Sequence, residues 1–258
     1  MIYLGYAPGG STRVANKSGV SILTLSEDGL KYRTGAVGCV DDAMVWFADH
    51  LGGSAPSAAG IDAFLFWETS RCGWRAADRW LKATYSPVTR AVLPSNSVQG
   101  AAAIQGMALG IRLRQLWPAV MLTEAHPKVL YYALSGSRYE WTPKVGRWLL
   151  ETIGTPTDSG IQTQNEWSAL VSAWTAMMGH TQAWKVDLRQ QSKYAVEPAG
   201  PVTYWWPGGN DPEGGGPNAG DDRGQSKLLP RRFRWKRQAR KGEAPVQIEH
   251  HAAVVLHR

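Results

Sequence analysis

The amino-acid sequence predicts an α/β protein, a mixed sheet with helices packed on its faces. Three observations lead there. Two β-prone runs, residues 19–25 and 30–37, flank Glu27-Asp28-Gly29, whose Asp-Gly pair is a strong hairpin signal. Two further apolar runs, 59–66 and 119–125, have the composition of buried strands and lie far apart in the chain. The segments between and after them repeat apolar residues every three or four positions, the period of a helix. Hairpin-joined strands followed by helix-separated strands give a sheet that is antiparallel on one side and parallel on the other.

In chain order, residues 2–6 form a short apolar strand stopped by Pro8-Gly9-Gly10. After the hairpin, residues 40–51 place Val40, Met44, Phe47 and Leu51 on one helical face, and a Gly/Ser/Ala loop leads to the strand 59–66 (AGIDAFLF). Residues 73–84 and 98–117 read as helices. The second holds Gly100, Gly106 and Gly110, each costing up to about 1 kcal/mol against Ala in a helix interior, a cost that close approach to a sheet would explain. The strand 119–125 (AVMLTEA) leads into Pro127, suited to the first position of a helix. Thr142-Pro143 opens another helix through Glu151. Trp167, Leu170, Val171, Trp174, Met178 and Thr181 mark one face of a helix over 165–184. Residues 201–206 (PVTYWW) close the body as a β-prone stretch in which Trp205 and Trp206 point to opposite faces.

The 258 residues carry 28 Lys+Arg against 21 Asp+Glu, a formal +7, and 43% hydrophobic with 19% charged residues excludes a wholly disordered chain. Tryptophan is abundant, 13 against 4 Phe, and Trp148, Trp167 and Trp174 sit at core spacings. Two cysteines, Cys39 and Cys72, support neither a disulfide scaffold nor a Cys-based zinc site, and read as buried thiols. No apolar run reaches the about 20 residues of a membrane span, and the N-terminus lacks the pattern of a signal peptide, so a cytoplasmic protein without a membrane partner is expected. The charge is uneven. The 51 residues after Pro207 hold ten Lys+Arg and six Asp+Glu. Three segments are therefore expected: a body over 1–207, a Gly/Pro-rich linker over 208–230 and a disordered basic tail over 231–258. In the tail, Arg231, Arg232, Arg234, Trp235, Lys236 and Arg237 combine phosphate-seeking charge with an aromatic ring, a nucleic-acid-binding pattern. A solvated tail without a partner, or one that meets a membrane or protein, is the alternative.

Three stretches go beyond pattern: 97–109 (SVQGAAAIQGMAL), 123–130 (TEAHPKVL) and 200–207 (GPVTYWWP). With Gly60-Ile61-Asp62-Ala63, Arg75-Ala76-Ala77-Asp78-Arg79 and Ser172-Ala173-Trp174, the chain resembles the family called domain of unknown function 429 over residues 4–207. That resemblance implies a ribonuclease H-like fold and a predicted nuclease. Such nucleases hold two Mg²⁺ or Mn²⁺ ions with three or four carboxylates, and hard divalent ions require oxygen ligands.

Asp62 and Glu124, each set in an apolar strand where a lone carboxylate is costly, are the candidate metal ligands and catalytic residues. His126, two residues beyond Glu124 and so on its face of a strand, is a candidate co-ligand or proton shuttle, and Glu166 a supporting metal ligand. The alternatives are structural. Asp62 would cap a turn or pair with Arg71 or Arg75, Glu124 would be an ion-pair partner, and His126 a hydrogen-bonded residue ahead of a helix. Asp78, flanked by arginines, reads as part of an exposed helix ion-pair set. Two acids of the implied set are missing: Tyr6 stands on the first strand and Ser168 at the start of the last helix. Glu166 lies roughly 200° around the helix from Ser168. A catalytically degenerate module that binds nucleic acid or a protein partner is therefore the second functional expectation beside a metal-dependent nuclease.

Overall fold

The computed structural model describes residues 1–9, 16–69, 74–91, 100–155 and 160–208; the expected linker from 209 onward and the basic tail with Arg231, Arg232, Arg234, Trp235, Lys236 and Arg237 lie outside them. The chain opens with strands β1 (Ile2–Ala7), β2 (Ser18–Ser26) and β3 (Gly29–Val37). The two-residue turn Glu27-Asp28 sets Ser26 opposite Gly29, which takes the positive φ of 113° that glycine tolerates. Helix α1 (Val40–Leu51) starts on a capping box, in which Cys39 Sγ accepts from the Asp42 N–H and the Asp42 side chain accepts from Cys39 N–H. It stops at Gly52 in the left-handed region.

Then follow β4 (Ala58–Ile61), β5 (Trp67–Glu68), α2 (Ala76–Thr84), a 3-10 turn (Ser86–Ala91) and α3 (Gly100–Leu116). Next come β6 (Met121–Glu124), α4 (Pro127–Ser135), α5 (Pro143–Ile153) and α6 (Gln164–His180). The described chain closes with β7 (Val186–Asp187), a second 3-10 turn (Leu188–Gln191), β8 (Ala195–Val196), β9 (Val202–Thr203) and β10 (Trp205–Trp206).

The central sheet runs β3-β2-β1-β4-β6-β9. β3, β2 and β1 are mutually antiparallel, and β1, β4, β6 and β9 are parallel. The mixed α/β sheet expected from the sequence is therefore present, with its parallel half fed by helical connections. β5 pairs with β8 and β7 with β10 in two small ribbons.

One glycine on each of three neighbouring strands lets α6 lie on the sheet. A Cβ added at Gly19, Gly5 or Gly60 would stand 1.9 Å from the carbonyl oxygens of Asn165, Ala169 and Ser172 respectively. Those three residues share one helical face by their four-and-three spacing, and they cross β2, β1 and β4 in that order. Helix α6 is buried nearly all round, with Trp167 fully enclosed. The opposite sheet face carries α1 and α3. Gly106 and Gly110 explain their cost in α3, because a Cβ there would meet Ala63 at 2.4 Å and Leu122 at 3.3 Å; around Gly100 there is open space. Among the described residues no helix is long and apolar enough to cross a membrane.

Several boundaries differ from the sequence-based ones. The strand expected over 59–66 ends at Ile61, because the chain turns away once the Asp62 N–H has donated to Tyr6 O at 2.9 Å. The strand expected to carry Glu124 and His126 on one face ends at Glu124. His126 is instead the N-cap residue of α4, so strand alternation does not reach it. Helix α6 stops at His180 rather than at residue 184: Thr181 Oγ1 bonds back to Met177 O, and Gln182 takes a φ of +59°. The stretch 201–206 divides between two sheets at Tyr204. Cys39 is exposed, since capping holds it at a helix start, and Cys72 lies outside the described residues.

Candidate functional site

The parallel strands β1, β4 and β6 end together, with Tyr6, Ile61 and Glu124 as register partners. Side chains at one register leave the same face, so Tyr6 and Glu124 stand two strand spacings apart, about 10 Å. One residue further, Asp62 turns to α6, where the Ser168 side chain favours its ionised form. The structure thus brings Asp62 to Ser168, the neutral residue at an expected acidic position. Glu124 turns to α2 instead.

There it meets Arg75, the N-cap residue of α2, whose side chain is fully buried. Arg75 Nη1 and Nη2 donate to Glu124 Oε2 and Oε1 at 2.7 and 2.6 Å, while Nε and Nη2 donate to Asp78 Oδ2 and Oδ1 at 2.9 and 2.7 Å. The remaining Nη1 hydrogen is taken by Phe66 O at 3.3 Å. All five guanidinium hydrogens are used, and the plane lies near the rings of Phe64 and Phe66, at 4.6 and 4.2 Å. Glu124 Oε2 also accepts from Leu65 N–H at 3.0 Å, tying the loop after β4 to the end of β6. Asp78, expected on an exposed face, is buried because Arg75 draws it inward one helical turn away.

The electrostatics follow from burial. Desolvation pushes the Glu124 carboxyl upward and the Arg75 guanidinium pulls it down. Burial opposes the charge of Arg75, but Glu124 and Asp78 more than offset it and hold the guanidinium protonated. One cation faces two carboxylates. Tyr204, fully buried beside this group, has its hydroxyl pushed well above the ordinary phenol range, first by burial and then by Glu124. Asp62 is half-buried, yet desolvation of its carboxyl raises it to about 6, against the opposing pull of Lys128 and Ser168. Tyr6 is fully buried, its O–H donates to Ser18 Oγ at 3.1 Å, and burial raises its pKa, so it stays neutral.

The other candidates are placed apart from this pair. Glu166 closes the capping box of α6, where its Oε2 accepts from the N–H groups of Gln162 and Thr163 at 3.0 and 2.8 Å and from Thr163 Oγ1 at 3.0 Å. His126 is half-buried, and its carbonyl accepts the Leu130 N–H that opens α4. Two residues take roles that the sequence reading did not assign: Arg75, offered there as an alternative partner of Asp62, pairs with Glu124 and Asp78 instead, and Lys128 faces Asp62. The Arg75-x-x-Asp78 spacing at a helix start was visible, but not that it would turn inward onto Glu124. Lys128 follows a Pro-initiated helix start three residues past β6, which places it near Asp62 only once the fold is known.

Among the described residues no group of three or more His, Cys, Asp and Glu side chains is arranged to hold a metal ion. Taken as a donor set for two divalent ions, Tyr6 and Ser168 are neutral, Glu124 has both oxygens committed, and Asp62 alone stands outside the guanidinium network. These residues do not fit a two-ion centre. No family model and no curated protein matches the chain. Among solved structures the chain is similar to the RuvC structure from Thermus thermophilus, at 14% sequence identity and a TM-score of 0.40, over 70% of this chain and 96% of that one.

Proposed function

We propose that this chain is a ribonuclease H-like module of the domain of unknown function 429 type that binds nucleic acid without hydrolysing it. The hairpin-joined triplet feeding parallel, helix-separated strands supports the fold assignment. The commitment of Glu124 to Arg75 carries the functional one. A cation that recruited Glu124 would strip a fully desolvated guanidinium of one of its two carboxylates, and breaking a buried pair costs about 3–5 kcal/mol. The seven basic residues of 231–241, with Phe233 and Trp235 among them, support nucleic acid as the partner.

A metal-dependent nuclease is the second reading, with Asp62, Glu124 and His126 catalytic and Asp62, Glu124 and Glu166 holding Mg²⁺ or Mn²⁺. Asp62 favours it, being the one carboxylate at the strand ends outside the Arg75 network. One experiment separates the two. The full chain is incubated with single- and double-stranded DNA and RNA in Mg²⁺ and Mn²⁺, and binding is followed beside cleavage. Binding without cleavage is the expected result. Metal-dependent cleavage that disappears in Asp62→Ala would establish the second reading.

A further inference from the structure

Arg114, in the last turn of α3, is half-buried, and none of the ion pairs among the described residues includes it. Its Nη1 and Nη2 donate to the carbonyl oxygens of Ala199 and Pro201. Those two bonds fix the guanidinium and leave three of its five hydrogens for another acceptor. Neutral carbonyls orient the group without cancelling its charge. The acid that acts on it, Glu197, is already paired with Arg189, and burial lowers the Arg114 pKa, as for a desolvated cation without its own counter-ion. Gly200 leaves the guanidinium its room: a Cβ there would stand 2.5 Å from Arg114 Nη1.

The guanidinium borders a groove of about 570 Å³ between the segments that lead into β6 and β9. Pro118, Val120, Leu122, Pro201 and Val202 give it apolar walls, and Arg114 is the one charged residue among those that line it. The groove lies where the parallel strands begin, at the other end of the sheet from Asp62 and Glu124. A hollow of this size, apolar except for a few placed polar groups, has the form of a small-molecule site. The planar fork of an arginine matches a carboxylate with two parallel hydrogen bonds. A single cation balances a single negative charge, and apolar walls favour a hydrocarbon body over a polar or multiply charged one.

We infer that this groove binds a small apolar monocarboxylate, with the carboxylate on Arg114 and the hydrocarbon part along Val120, Leu122, Pro201 and Val202. The site is independent of the nucleic-acid reading above and stands apart from the strand ends on which that reading rests.

The test uses the full chain, isotope-labelled for nuclear magnetic resonance, and three probes that share one alkyl chain: octanoate, octanol and octylammonium at constant ionic strength. Octanoate should bind at one site and shift the amide signals within 119–122 and 199–203. Octanol and octylammonium should bind at least about tenfold more weakly, since neither offers the guanidinium a charged acceptor. Arg114→Met should weaken octanoate binding about ten- to a hundredfold, the loss expected of a charge-assisted hydrogen bond. Arg114 also ties down Ala199 and Pro201, so a second variant leaves those bonds in place. Ala119→Glu, at an exposed position lining the groove, adds a carboxylate to its wall and should weaken octanoate binding with the melting temperature unchanged. Absence of octanoate binding, octanol binding as tightly as octanoate, signal shifts confined to residues outside the groove, or an affinity unchanged in both variants would each overturn the site.

Discussion

Arg75→Met is the substitution that interrogates the site most directly. Methionine keeps an apolar stem between Phe64 and Phe66 but removes all five guanidinium hydrogens, leaving Asp78 and Glu124 buried without a cation. Removing one side of a buried ion pair costs about 3–5 kcal/mol, and here two carboxylates lose it together. The Glu124 carboxyl, already pushed up by desolvation, then loses the guanidinium that pulls it down and rises further above its unfolded value of about 4.3. Groups whose folded pKa is raised stabilise the fold below the unfolded pKa and lose that contribution as pH rises through the folded pKa. The deficit of Arg75→Met should therefore be about 3–5 kcal/mol at pH 8. At pH 5 it should shrink by about 1.4 kcal/mol for each unit that the raised carboxyl pKa exceeds 5. Urea unfolding at both pH values measures this. Arg75→Met combined with Asp78→Leu and Glu124→Leu should recover most of the loss, since an apolar replacement of the whole set leaves no orphaned charge. A deficit under about 1 kcal/mol at pH 8 would refute the reasoning, because it falls short of the cost expected for an orphaned buried charge, and so would one independent of pH.

Asp62 has a folded pKa of about 6, above the about 3.9 of an unfolded Asp, so its contribution to stability is present at low pH and is lost between those values. Asp62→Asn should therefore match the parent near pH 4 and exceed it at pH 8 by roughly 1–2 kcal/mol once partial solvent screening is allowed for; urea midpoints across that range give the answer, and a less stable variant at pH 8 would contradict it. Gly60→Ala would set a methyl 1.9 Å from Ser172 O and should cost at least about 3 kcal/mol or prevent folding. Gly160→Ala, with open space around it, serves as the near-neutral control in the same thermal melts. Thr163→Ala removes one half of the α6 capping box and should cost about 1 kcal/mol, read from the same unfolding curves.

Much of the fold was legible because local chemistry and tertiary packing agree. The turn signalled by Asp28-Gly29 is present one residue earlier, at Glu27-Asp28 with Gly29 opening β3, the 40–51 periodicity gave α1 to the residue, and Pro127 opened α4. The misses lie where long-range contacts decide. Nothing local ends β4 at Ile61; its partners do, since Tyr6 O takes the Asp62 N–H and Glu124 takes the Leu65 N–H from the loop beyond. An arginine flanked by alanines and followed by an Asp looks like a solvated helix start. It becomes a buried hub only because Phe64, Phe66 and Glu124, distant in sequence or in another element, enclose it. The sequence offered an ion pair as one alternative for Glu124 without naming the partner.

Charge balance links the neutral residues at positions 6 and 168 to the arginine. Glu124 and Asp78 set against Arg75 leave one excess negative charge in a volume closed to water, and Asp62 adds another when ionised. Two more carboxylates, at Tyr6 and Ser168, would load the same strand ends with charge that only bound cations could offset. A phenol and a hydroxyl in those places add no charge that would need one: Tyr6 donates to Ser18, and Ser168 stands by Asp62. On the proposed reading, a guanidinium held by five hydrogen bonds performs permanently, for Glu124, the neutralising role that an exchangeable divalent ion performs in a hydrolytic centre. A fixed cation cannot lower the pKa of a bound water or accept a leaving oxygen as a metal ion does. On that reading the residue that stabilises these strand ends also removes Glu124 from a hydrolytic step.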